Sequence, residues 1–114
     1  MAGDWQLSSK DAYIEPRGGH TILKALCRNE RGQWVHSELD LDDHIGDEHS
    51  AQGLTWQKRG FTKNAHDIRF GFEGAGDDQP VLRATVYGNS QANINTREHI
   101  RNINGHLEFD LAPL

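Results

Sequence analysis

The chain has 114 residues, of which 35% are hydrophobic and 25% charged, and its formal net charge is −5. This composition indicates a folded chain with a modest core, long enough for residues 1–114 to form one domain without disulfides or metal. The acidic balance argues against DNA or RNA as a partner, because phosphate binding needs a basic face. No run approaches about 18 apolar residues, which excludes a membrane-spanning helix.

Residues 1–6 have neither the charged nor the apolar region of a signal peptide. We therefore expect a cytoplasmic protein, or one secreted by a non-classical route. Cys27 is the only cysteine, so no intrachain disulfide can form, which fits a reducing compartment.

Four short blocks of sequence occur twice in the same order, with offsets of 56, 59, 55 and 53 residues. Because only the loops between blocks change length, the pattern indicates two tandem repeats rather than chance similarity between strands. Repeat 1 spans about residues 5–56 and repeat 2 about residues 61–109. The matched blocks are 5–14 with 61–70, 21–25 with 80–84, 39–45 with 94–100, and 54–56 with 107–109.

The blocks are short and rich in β-branched and aromatic residues, and they predict about five strands in each repeat. Polar turns at 29–32 and 88–91 each predict a hairpin. Segments 42–45 and 97–100 are too short for stable helices and predict single helical turns at strand ends. Asn and Gly at 102–105 predict a turn with positive φ.

A repeat of about 55 residues would be marginally stable alone, so we expect both repeats to share one core. Aromatic residues are the expected core anchors, with sugar stacking as the alternative role. They are Trp5, Trp34, Trp56, Phe61 and Phe70.

Three motifs resemble those of the cyanovirin-N homology (CVNH) family. They are Leu-Asp-Leu-Asp-Asp-His-Ile at 39–45, the Leu-x-Ala-x-Cys strand at 23–27, and the ending Ile-x-Asn-Ile-Asn-Gly-x-Leu-x-Phe at 100–109. The resemblance runs from Trp5 to Phe109. It implies an all-β fold of two pseudo-symmetric halves that exchange strands. It also implies a lectin for mannose-rich oligosaccharides with terminal Manα1-2Man, without metal, cofactor or catalysis.

The chain departs from the family pattern in its cysteines and its loops. Ser9, Ala65 and Val86 stand at three of the family's four cysteine positions, so the chain resembles the disulfide-free fungal members. The hairpin after Tyr87 is shorter than its counterpart in repeat 1, and the loop 46–53 is longer than its counterpart in repeat 2.

The resemblance implies one sugar site in each half. Polar side chains and backbone amides suit such sites because they pair with vicinal hydroxyls. The primary site, near the termini, maps onto Asp4, Leu7, Ser8, Arg28, Glu30, Asn102, Ile103 and Asn104. This chain has Leu7 where the family has glutamine, Ser8 where it has threonine and Arg28 where it has an acidic residue. The alternative is that Asn102–Gly105 is only a turn.

The second site maps onto a loop and a hairpin whose lengths both differ from the family pattern, and we expect it to be impaired or altered. Asn64 also stands where the family has threonine. The positions are Gly46, Asp47, Lys63, Asn64, Tyr87, Gly88 and Asn89.

Other functions have weaker support in the sequence. The acids and histidines at 42–49 suggest a His/Asp metal site, but their spacing fits neither an EF-hand nor a typical zinc site. No Gly-x-Ser-x-Gly, P-loop or Gly-x-Gly-x-x-Gly motif indicates an enzyme. A protein-interaction module without sugar binding stays open. We expect mainly monomer, although exchange of halves across residues 57–60 could give a domain-swapped dimer.

Overall fold

A computed structural model describes residues 3–111, and these residues form ten strands and four short 3₁₀ turns. Repeat 1 contains turn η1 (Trp5–Ser8), β1 (Ser9–Arg17), β2 (His20–Arg28), β3 (Trp34–Asp40), η2 (Leu41–Asp43), β4 (Ile45–Asp47) and β5 (Leu54–Trp56). Repeat 2 contains η3 (Phe61–Asn64), β6 (Ala65–Glu73), β7 (Gln79–Val86), β8 (Ser90–Asn95), η4 (Thr96–Glu98), β9 (Ile100–Ile103) and β10 (His106–Phe109). The predicted repeat, with five strands in each copy, is confirmed.

Each repeat contributes one three-stranded antiparallel sheet and one two-stranded hairpin. The hairpin β9–β10 of repeat 2 packs against β3 of repeat 1, where the Leu107 amide donates to Ser37 Oγ at 2.9 Å. The hairpin β4–β5 of repeat 1 packs against β8, where the Asn93 amide donates to the Gln52 carbonyl at 3.0 Å. Strand exchange between repeats is therefore confirmed. We call β1–β3 with β9–β10 half A, and β6–β8 with β4–β5 half B.

The two copies also share local irregularities. A bulge interrupts β1 between Lys10 and Tyr13, and another interrupts β6 between His66 and Arg69. Asp11 and Asp67 lie within these bulges with φ of 55° and 51°. Aspartate tolerates this left-handed conformation better than most residues, and an extra residue re-aims the side chains beside it.

Helical turns are found near the predicted segments 42–45 and 97–100, but η2 and η4 begin one residue earlier, and Ile45 and Ile100 already belong to strands β4 and β9. The side chain of Asp40 accepts a hydrogen bond from the Asp42 amide at 3.0 Å, and that of Asn95 accepts one from the Arg97 amide at 3.1 Å. These caps satisfy amides that a single turn cannot pair internally.

One core runs through both halves, and its largest members include Trp5 and Phe61, the paired first residues of η1 and η3. Trp56 and Phe70 are half-buried against it. Trp34 is not a core anchor, and that expectation is wrong: its side chain is 41% exposed. The alternation of β3 turns Val35 inward and leaves Trp34 on the outer face of the sheet.

Residues 1, 2 and 112–114 lie outside the described part of the chain, so the assignment of all 114 residues to one domain stays a prediction. Across residues 3–111, no helix is long and apolar enough to cross a membrane.

A buried carboxylate ties η2 to both repeats. Asp42 is 3% exposed and accepts hydrogen bonds from the Thr21 amide at 2.8 Å and the Thr62 amide at 2.9 Å. The Thr62 hydroxyl donates to the same carboxylate. Because all these groups are donors, only a carboxylate satisfies them together.

Replacement Asp42→Asn should lower the free energy of unfolding by about 3 kcal/mol, because the new amide directs its own N–H groups at these donors. Urea denaturation measures the change. The matched control is Asp43→Asn at the adjacent exposed position, which should leave stability within about 0.5 kcal/mol of the original. Equal losses in the two variants would contradict the role of Asp42.

His44 makes the free energy of unfolding depend on pH, and the direction of its pKa shift fixes the sign of that dependence. Its ring stacks on Phe109 with centroids 4.4 Å apart, and burial lowers the pKa of His44 below its usual range. A lowered folded-state pKa means that the unfolded chain binds the proton first, so stability falls as pH drops below about 6.5. The Asp40 carboxylate raises the pKa of His20, which acts in the opposite direction.

The variant His44→Gln should therefore lose less stability between pH 7.5 and pH 5 than the original chain. His20→Gln should lose more, because it removes the histidine that stabilises the fold when protonated. Denaturation midpoints at the two pH values test both. An unchanged difference in His44→Gln would contradict the assignment.

Candidate functional site

At the tip of half A, Asn102 joins three segments that are distant in sequence. Its Nδ2 donates to the Ser8 hydroxyl at 2.9 Å, the Ser8 carbonyl at 3.2 Å and the Arg28 carbonyl at 2.8 Å. Its Oδ1 accepts from the Gly105 amide at 2.8 Å. Both polar atoms of the Asn102 side chain are thus hydrogen-bonded within the protein, where they connect η1, β2 and the β9–β10 turn.

Asn104 fixes the turn after β2 against the turn between β9 and β10. Its Oδ1 accepts from the Glu30 amide at 2.9 Å, and its backbone has φ of 49°. Gly105 follows with φ of 92°, and a Cβ there would lie 3.4 Å from Val35. The predicted positive φ angles are thus found at Asn104 and Gly105, whereas Asn102 lies within β9.

The structure brings Ser8, Arg28, Glu30, Asn102 and Asn104 together. We call these five residues the half A cluster. Two further predicted residues adjoin it in sequence and project to solvent: Leu7 is 76% exposed and Ile103 is 38% exposed.

The side chain of Asp4 is engaged with Arg97 and not with the half A cluster. Its carboxylate pairs with the Arg97 guanidinium at 2.8 Å, and its side chain is only 13% exposed. The Asp4 amide also donates to the Arg97 carbonyl at 2.9 Å. These contacts give Asp4 a structural task, anchoring η1 to η4.

Half B has a corresponding cluster, but its central residue accepts hydrogen bonds instead of donating them. The repeat alignment places Asp47 opposite Asn102, Asn64 opposite Ser8 and Tyr87 opposite Arg28. Asp47 accepts from Asn64 Nδ2 at 3.1 and 3.3 Å, and the Tyr87 hydroxyl interacts with the same carboxylate. A carboxylate that accepts therefore stands where half A has an amide that donates.

The charge of Asp47 is stabilised by its neighbours. Burial acts to raise the pKa of Asp47, but the hydrogen bonds from Asn64 and Tyr87, with Lys63 nearby, outweigh it and hold that pKa below its usual range. Burial and the Asp47 carboxylate raise the pKa of the Tyr87 hydroxyl. Asp47, Lys63, Asn64 and Tyr87 are thus brought together.

The other three predicted half B residues are backbone positions or lie at the turn. Gly46 is buried, and a Cβ there would meet the Lys58 Cβ at 2.4 Å, so close packing requires this glycine. Gly88 and Asn89 are exposed in the β7–β8 turn. That turn has three residues against five between β2 and β3, which confirms the shortened hairpin.

Sequence reasoning missed the aromatic wall beside the half B cluster. The His49 ring stacks on the Tyr87 ring with centroids 3.7 Å apart and an interplanar angle of 18°. The two residues border an open depression of about 390 Å³, with Glu48, Ser50 and Ser90 also lining it. The length of the loop 46–53 was the available signal, but length alone does not say which side chain reaches Tyr87.

One group of side chains in residues 3–111 has the composition of a metal site. His20, Asp40 and Asp42 offer ligand atoms within 4.8 Å of one another. The Asp42 oxygens, however, already accept three hydrogen bonds, and His20 Nδ1 lies 2.6 Å from Asp40 Oδ2. The side chains of this group are therefore hydrogen-bonded to other groups of the protein.

Because Asn102 donates hydrogen bonds where Asp47 accepts them, exchanging the two residue types should have unequal costs in the two halves. Asn102→Asp places a carboxylate against two carbonyl oxygens, so it should lower the free energy of unfolding by about 2 kcal/mol and shift the NMR signals of Ser8 and Arg28. Asp47→Asn retains an acceptor oxygen for Asn64 and Tyr87, so its cost should be smaller. Urea denaturation and amide spectra measure both, and equal costs would contradict the difference between the halves.

Comparison with known proteins agrees with this architecture. The family model for the CVNH domain matches residues 5–108. A cyanovirin-N homolog of Neurospora crassa is 32% identical over 108 residues, which cover 91% of this chain and 96% of that protein. The NMR structure of the CVNH protein of Gibberella zeae is 38% identical with a TM-score of 0.76, covering 94% of this chain and 97% of that one.

The NMR structures of a designed cyanovirin-N homolog lectin, LKAMG, are 39% identical to the chain with a TM-score of 0.77. That match covers 96% of this chain and 100% of the designed one. Together with the ten strands and their exchange between repeats, these similarities show that the chain belongs to the CVNH family.

Proposed function

We propose that this protein is a carbohydrate-binding lectin that recognises mannose-rich oligosaccharides ending in Manα1-2Man, without metal or catalysis. The observation that carries the proposal is the half A cluster, in which Asn102 and Asn104 of repeat 2 are hydrogen-bonded to Ser8, Arg28 and Glu30 of repeat 1. Polar groups held in place before the ligand arrives lose less conformational entropy on binding.

The hydrogen bonds within the cluster assign different tasks to its members. Asn102 organises the site, since both ends of its amide are occupied internally. Asn104 has its Oδ1 held by the Glu30 amide, which orients its Nδ2 as a donor at the exposed surface. The Glu30 carboxylate and the Ser8 hydroxyl supply acceptors beside it, as vicinal sugar hydroxyls require.

Other structures of the same fold contain sugars, although they share less sequence with this chain. Microvirin, 24% identical, has been solved with mannobiose, and a MoCVNH3 variant, 22% identical, with (N-GlcNAc)4. At these identities the likeness extends to the fold alone. The preference for mannose is therefore proposed from the primary-site residues and from the family membership.

The proposed site is shallow and its affinity is low. Each hydrogen bond to a sugar contributes only about 0.5–1.5 kcal/mol, because water bonds to the same hydroxyls in the free state. Higher affinity for dense glycans would come from several sites on neighbouring molecules. Half B, with Asp47 in place of an amide and His49 stacked on Tyr87, is proposed as an altered site that contributes little to mannose binding.

An NMR titration with Manα1-2Man tests the proposal. Amide shifts confined to Ser8, Arg28, Glu30 and Asn102–Asn104 are expected. (N-GlcNAc)4 in a parallel titration should give smaller shifts, and equal responses would contradict the preference for mannose. Unchanged spectra at millimolar mannobiose would contradict the lectin function and favour a protein-interaction module on the same fold.

A gain of affinity is expected from Leu7→Gln. Leu7 is 76% exposed beside Ser8, so the replacement removes little packing and adds a donor and an acceptor at the site. One added hydrogen bond corresponds to a roughly two- to twelve-fold tighter Kd for mannobiose, measured by the same titration. Leu111→Gln, at a residue 55% exposed outside the site, is the matched control. No gain in Leu7→Gln would contradict the placement of the site.

A further inference from the structure

The exposed aromatic residue nearest the half A cluster carries a cation on its ring. Lys10 Nζ lies 4.2 Å from the centroid of Trp34, and the Arg28 guanidinium carbon lies 6.0 Å from the same ring. Trp34 pairs with Arg28 across β2 and β3, and Lys10 follows Ser8 by two residues. The group therefore borders the half A cluster, and Arg28 belongs to both.

Neither cation is neutralised by the rest of the described chain. Across residues 3–111, five of the ten other arginines and lysines form ion pairs with carboxylates, whereas Lys10 and Arg28, like the remaining five, form none. The half A cluster itself contains one carboxylate, that of Glu30. Two cations without an ion-pair partner therefore lie at one ring in a protein of net charge −5.

Half B lacks this arrangement, although its strands pair in the same register up to its shorter turn. The positions that correspond to Lys10, Arg28 and Trp34 are His66, Tyr87 and Asn89. Both copies contain the same bulge after the first of these residues. The fold therefore does not require the cation–aromatic group, and its presence beside the cluster in half A needs another explanation.

We propose that Lys10, Arg28 and Trp34 form an anion clamp that extends the half A site, so that the protein prefers mannose glycans carrying a phosphate ester next to the terminal mannobiose. This inference rests on the proposed lectin function. Trp34 positions the ammonium by cation–π attraction, which limits the motion of a long side chain. The point charge of lysine and the fork of arginine can each contact a different phosphate oxygen.

The clamp is tested by comparing Manα1-2Man with the same disaccharide carrying a 6-phosphate on its reducing mannose, by calorimetry at low salt. We expect Kd for the phosphorylated sugar to be about five-fold lower, the effect of one unit charge pair near a solvated surface. The difference should shrink in 0.5 M NaCl because salt screens exposed charges. Inorganic phosphate alone should bind more weakly than either sugar.

Two variants separate the clamp from a general charge effect. Lys10→Gln should remove most of the preference for the phosphorylated sugar and leave Kd for mannobiose unchanged. Lys58→Gln, which removes an exposed cation in the segment that joins the repeats, should keep the preference. Trp34→Ala should weaken the preference and Trp34→Phe should retain it, because a phenyl ring still holds the ammonium.

Equal Kd values for the two sugars, with mannobiose bound, would overturn the clamp and leave the proposed function standing. Equal losses in Lys10→Gln and Lys58→Gln, or inorganic phosphate binding as tightly as the phosphorylated sugar, would also overturn it. Absence of mannobiose binding would instead contradict the proposed function itself.

Discussion

Each three-stranded sheet is covered by a hairpin that the other repeat supplies. The hairpin β9–β10 packs on β3, and β4–β5 packs on β8, and a backbone amide donates a hydrogen bond at each contact. A repeat of this size cannot bury enough apolar surface alone, so exchange produces one core from two marginal units. It also brings Ser8, residues 28 to 30 and residues 102 to 104 to one tip, where the proposed sugar site requires them.

Within this shared framework the repeats have diverged at the positions that carry polar chemistry. Trp5 Nε1 donates to the buried hydroxyl of Thr96 at 3.0 Å, whereas Phe61 has no such donor and Leu41, which corresponds to Thr96, belongs to the same apolar core. At the tips, Asn102 donates where Asp47 accepts. The apolar frame is nearly duplicated, and the differences lie at this buried pair and at the tips where a ligand would be recognised. We interpret this as one retained and one altered site.

Much of the fold could be predicted from the sequence because the repeat fixes the number of strands and the family motifs fix their exchange. The positive φ at Asn104 and Gly105 could also be predicted, since those residue types favour it. Three features could not. The exposure of Trp34 depends on the register of β3, the pairing of Asp4 with Arg97 joins residues 93 positions apart, and the stacking of His49 on Tyr87 depends on the path of an irregular loop.

We propose that the sugar site is assembled from both repeats at the tip of half A. A crystal structure of the protein with bound Manα1-2Man tests this proposal. We expect the terminal mannose to contact Ser8 or Glu30 from repeat 1 together with Asn104 from repeat 2, while Asn102 keeps its internal hydrogen bonds. A sugar held by one repeat alone, or bound only at the half B depression beside Tyr87, would contradict it.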